Sequence, residues 1–149
     1  MALKNYTSSM SPARTMGKIQ ETLAQHDARR ISIEYDDEGE ATAVAFQMDV
    51  AGRPTWFRLE PDVEGMLRAM REDDGVPRSK CSREQARRTA WKNELEWLQV
   101  QLAKVACNQA RVEQLLLGYA VTRDGDTIFE RLQSEHQILA GTALPEGGQ

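Results

Sequence analysis

With 149 residues, 40% of them hydrophobic and 28% charged, the chain has the size and balance of one globular domain, able to bury roughly 70% of its unfolded surface without disulfide or metal staples. Apolar runs such as Leu115-Leu116-Leu117 fall far short of the roughly 20 residues of a membrane span. The polar opening MALKNYTSSM has no apolar core of a secretory signal, so a cytoplasmic location is expected. A net charge of −4 argues against nucleic acid spread over the whole surface, though a local basic patch remains open.

Ser11-Pro12 opens the first predicted helix, a favoured cap followed by the residue that loses least at the first helical position. Met16, Ile19 and Leu23 then form one apolar stripe ending near His26-Asp27. The period switches to two at Ile31, Ile33 and Tyr35, and again at Thr42 to Val50, with Asp36 to Gly39 as the turn between, which predicts an antiparallel hairpin. Ala51-Gly52-Arg53-Pro54 predicts a further turn and Thr55 to Leu59 a third strand, with Phe57 and Leu59 on one face and Trp56 and Arg58 on the other. Asn5 to Ser9 is a candidate fourth strand at an edge.

Pro61-Asp62 starts a helix carrying Val63, Met66, Leu67 and Met70. Residues 72–82 are charged and interrupted by Gly75 and Pro77, a flexible hinge within one fold. Ser82-Arg83-Glu84-Gln85 has the form of a capping box, Gln85 reaching back to the cap. The helix it opens runs to about Ala106, with Trp91, Leu95, Leu98, Leu102 and Val105 alternating three and four apart. Asn108 breaks it, Val112, Leu115, Leu116 and Tyr119 share the next apolar face, and a short segment with Ile128, Phe129 and Leu132 follows the turn Arg123 to Asp126. The expectation is a single α+β domain over residues 1–140: a three- or four-stranded antiparallel sheet with helices, then a long helix and short helices, and a disordered tail at 141–149.

Catalytic and metal-binding signals are weak. His26 and His136 lie far apart in sequence with no nucleophile elbow, HExxH or P-loop beside them. Asp36-Asp37 and Asp73-Asp74 sit in turns. Asp124-Gly125-Asp126 lacks the ligand count of a calcium loop. Cys81 and Cys107 form no CxxC and suggest no metal site, Cys107 reading as core and Cys81 as exposed. No cofactor and no enzyme is expected.

The basic cluster carries more. Arg83, Arg87, Arg88 and Lys92 crowd the start of the long helix, where Arg forks and first-turn N–H groups both favour a phosphate; the plainer reading is a solvated helix face. Trp56 beside Arg58 is a candidate stacking platform or packing surface. Trp91 and Trp97, six residues apart, do not share one face, so at least one is expected at an interface between chains or helices. A 24-residue helix with so wide a stripe predicts at least a homodimer.

The stretch from Trp91 through Trp97 to Gln101 and Ala103, then Leu117-Gly118-Tyr119, then Asp124-Gly125-Asp126-Thr127-Ile128-Phe129-Glu130 resembles a family of small phage and prophage proteins with the pattern W-x5-W-x3-Q-x-A, L-P-Y, D-G-x-T-x-Y-E. Ile31 to Asp36 also resembles that family's strand I-x-x-E-Y-D. The likeness covers about residues 5–132 and departs from the pattern at Gly118 and Phe129. In size and type such proteins are similar to the Thoeris anti-defence family, oligomers that sequester cyclic nucleotide immune signals without cleaving them. The resemblance implies a non-catalytic sponge for a small phosphate-bearing nucleotide in the host bacterium. A protein that grips a host or phage replication or defence factor is the alternative, with single-stranded nucleic-acid binding third.

Overall fold

The computed structural model describes residues 2–135 and, beyond them, Glu146; His136 and nearly all of the expected tail lie outside the described residues. It is an α+β fold in which a three-stranded antiparallel sheet carries helices on one face. Helix α1 spans Pro12–Gln25, the Ser11 side chain accepting from the Arg14 amide, and it buries Met16, Ile19 and Leu23 on the stripe that the spacing predicts. Strands β1 (Arg30–Tyr35), β2 (Ala41–Val50) and β3 (Arg53–Leu59) pair in chain order, Ile31 opposite Phe46 and Val44 opposite Leu59.

The second turn is tighter than expected. Ala51 and Gly52 both take positive φ, at 49° and 80°, the two-residue arrangement whose twist suits a hairpin. Arg53 and Pro54 therefore belong to β3, pairing with Val50 and Asp49. Beyond β3, Ala120 bridges Phe57 and the Val121 amide donates to the Trp56 carbonyl at 2.8 Å.

Helix α2 (Val63–Glu72) is capped by Asp62, which accepts from the Gly65 amide at 2.8 Å. Residues 73–82 follow, anchored at Val76, which is buried with Leu67, Met70 and Ala86 in a small second core. Helix α3 (Arg83–Ala106) has Trp91, Leu95, Leu98 and Leu102 buried against α1 and the sheet, Trp91 only 1% exposed. Trp97 and Val105, which widen the apolar stripe of this helix, are only partly buried against the same core. After Asn108, at φ 58°, come α4 (Val112–Leu116), a 3-10 turn at Leu117–Tyr119, and α5 (Ile128–Ser134) with a capping box between Thr127 and Glu130.

Three local expectations are overturned. Asn5 to Ser9 is no strand but a turn, docked on a polar row of α3: the Asn5 amide donates to Asn93 and Glu96, and Thr89 donates to the Asn5 carbonyl. Gln85 does not close a capping box, because its side-chain amide donates to the carbonyls of Tyr6 and Ser8 at 2.8 and 2.9 Å. A buried amide with two carbonyls in reach is better satisfied there than at the cap. The cysteines also exchange roles. Cys107, just past the end of α3, is exposed, whereas Cys81 is half-buried beside the small core.

Candidate functional site

Side chains from the β1–β2 turn, the β3–α2 turn and the first two turns of α3 enclose a cleft of about 400 Å³. Helical spacing of four puts Arg83 and Arg87 on the same face, and both line it, facing Asp36, Glu60, Asp62 and Glu64. Arg83 is exposed and ion-paired with Glu64 at 2.5 Å. Arg87 is different. Its side chain is only 13% exposed, yet its nearest carboxylates, Glu40 and Asp36, lie at 3.8 and 3.9 Å, and it makes no hydrogen bond among the described residues. At those separations the charges attract, but the guanidinium N–H groups are left open. The Asp36 carboxyl is held below the usual carboxylate range, chiefly by the Glu40 amide that donates to it, and so stays ionised beside Arg87.

The remaining basic residues do not join this cleft. Arg88 turns to Glu84, one turn back, at 2.8 Å, and Lys92 is half-buried on another row. Neither lines the cleft, and neither do the cap residues Ser82 and Glu84. The expected convergence of four cations and the helix's first amides is therefore a pair of guanidiniums.

Glu60 also borders a second recess of about 440 Å³, walled by Arg58, Tyr119, Thr127, Phe129 and Glu130 and opened at Gly118. Phe129 is 58% exposed there. Arg58 is fully engaged, donating to Glu34 at 2.6 and 2.9 Å and to Glu60 at 2.7 Å, so it braces the recess rather than offering its charge. Trp56, on the same outer sheet face, is half-buried.

Of the two helix tryptophans, Trp91 is core, which removes it as a contact surface. Trp97 packs on Tyr119 with ring centroids 5.2 Å apart, tilted by 57°, and so supports the wall of the aromatic recess. One turn before it, Glu94 is pushed up to about 7 by burial alone, and burial, followed by the charge of Glu94, raises the Tyr119 phenol. The sequence gives no sign of Glu94, which stands among charged neighbours in a helix where exposure is the default.

Among the described residues no group of three His, Cys, Asp or Glu side chains is placed to hold a metal ion, and no helix is long and apolar enough to cross a membrane. Comparison of the chain with protein-family models, with curated proteins and with solved structures returns no match.

Proposed function

We propose that the protein is a non-catalytic binding protein that holds a small phosphate-bearing nucleotide across the two adjoining recesses. Arg87 carries this reading: a largely covered guanidinium in a cleft wall, with its donor groups unspent. Its nitrogens are not among the buried atoms left without a partner, so water reaches them in the free protein, and a phosphate oxygen is the acceptor that suits such a fork. Arg83 joins it once the ligand displaces Glu64 from an exposed and therefore weak pair. The neighbouring recess, reached past Glu60, supplies the faces of Tyr119 and Phe129 for a base.

The carboxylates around the cleft set a condition on the ligand. Asp36, Glu60, Asp62 and Glu64 repel a polyanion, so one or two phosphates in a cyclic or bridged arrangement fit better than a nucleic-acid strand. Sequestration of a cyclic nucleotide immune signal by a phage-encoded sponge is the role that the family resemblance implies for such a site.

A thermal-shift panel of cyclic di- and trinucleotides and cyclic ADP-ribose isomers, with mass spectrometry of ligand released by heat, tests the reading. The expected result is a raised melting temperature for one class and recovery of that compound unchanged. No shift and nothing co-purifying would overturn it, and a degraded ligand would reveal a catalyst instead.

A further inference from the structure

The two edges of the sheet are finished differently. Along β3, Ala120 and Val121 continue the pairing. Along the far side of β1 nothing pairs among the described residues, so the N–H and C=O groups of alternate residues are left facing outward. Edge strands are ordinarily blunted by Pro, by Lys or by an inward charge. Arg30-Ile31-Ser32-Ile33-Glu34-Tyr35 contains none of these on its inward face, and the one register shift against β2 falls at the strand's end, between Glu34 and Tyr35, outside the Arg30–Glu34 stretch. The layer beneath also stops short: Val44 and Phe46 of the central strand are fully buried, whereas Ile31 and Ile33, their partners on β1, are only half-buried.

The strand is complementary to itself. Run antiparallel to a second copy about Ser32, it sets Arg30 opposite Glu34, Ile31 opposite Ile33 and Ser32 opposite its own counterpart, with Arg29 meeting Tyr35, which is 60% exposed. Directly opposed residues share a face, so both isoleucine pairs extend the inner layer and both Arg–Glu pairs lie on the outer one. The charges are also available. Glu34 meets Arg58 through Oε2 alone, at 2.6 and 2.9 Å, and the nearby pair is Arg29 to Asp49 at a loose 3.9 Å, leaving Arg30 without one among the described residues.

We infer that β1 is the interface of a two-fold homodimer in which the sheets of two copies join edge to edge, the isologous contact that a self-complementary strand permits. The occupant is a second copy of this chain rather than a foreign peptide, because one register satisfies charge and apolar pairing together.

Sedimentation equilibrium at about 100 μM, a concentration at which even a micromolar complex forms, should return close to twice the 16.8 kDa of one chain. Arg30→Glu alone sets like charges opposite each other twice, and so does Glu34→Arg alone. Each should sediment as a monomer, while an equimolar mixture of the two restores both pairs and the dimer. In a Cys81→Ser, Cys107→Ser background, Ser32→Cys should give a covalent dimer under mild oxidation, since residues at the two-fold approach closely. A wild-type monomer overturns the inference. So does a dimer that survives Arg30→Glu or fails to cross-link through position 32, which would lie on another face.

Discussion

In the turn that leads into α5, Arg131 donates to Asp124 at 2.6 Å and to both oxygens of Asp126 at 3.1 Å, and Thr122 adds a further hydrogen bond to Asp126. The Arg131 guanidinium holds the Asp126 carboxyl down at about 2. On α3 the opposite holds. Arg87 is more covered than Arg131, yet its nearest carboxylates stand at 3.8 and 3.9 Å, and Glu94, pushed up to about 7, has burial as the sole cause of its shift. One region spends its charges on its own structure. The other leaves Arg87 without a close partner, open to a ligand, and holds Glu94 partly buried at a cost in stability.

The largest effect should come from Glu94. Its pKa is raised above the unfolded value, so the folded state binds the extra proton between pH 4.5 and about 7. Stability should therefore fall as pH rises through that window. Glu94→Gln removes the penalty: urea unfolding should show it more stable than wild type by about 2 kcal/mol at pH 8 and equal to it at pH 4.5. An unchanged difference at both values would place Glu94 with the paired charges.

Next is Arg87→Ala, which should weaken nucleotide affinity by roughly ten- to a hundredfold in calorimetric titration while leaving the melting temperature near that of wild type. A lowered melting temperature with unchanged affinity would make Arg87 a structural residue like Arg131. A smaller change in the other direction sharpens the same point: Glu64→Gln frees Arg83 of its exposed partner and should tighten binding by about threefold, the scale of a surface pair.

The spacing of apolar residues made the fold legible. Met16, Ile19 and Leu23, the alternation through β2, and the run from Trp91 to Leu102 are all where periodicity places them, because burial of one face is what periodicity records. Polar residues were harder. Gln85 reads as a capping residue and Thr89 and Asn93 carry no signal of their own, but all three dock the N-terminal turn, and nothing local marks a contact made with residues some 80 positions away. The basic cluster was visible as composition, yet composition could not divide it. Arg83 and Arg87 share a cleft because residues four apart share a helix face, while Arg88 pairs with Glu84, also four apart, and so leaves it. The edge of β1 was legible only once its neighbours were known.

The smallest effect expected is on stability in the α5 turn. Asp126 has a lowered pKa, so its pairing stabilises the fold above the ordinary carboxylate range and is lost as pH falls toward 2. Arg131→Ala should lower the melting temperature at pH 6, by an amount that shrinks as pH approaches 2, and leave nucleotide affinity unchanged.

The contrast between the two arginines can be observed in a single titration. With 15N-labelled arginine, the guanidinium signals of Arg87 and Arg131 are followed as a cyclic dinucleotide that scored in the thermal-shift panel is added. Binding should shift and sharpen the Arg87 signal, as its N–H groups acquire acceptors and lose exchange with water, while the Arg131 signal stays in place. Saturable binding that moved Arg131, or that left Arg87 unmoved, would contradict the account.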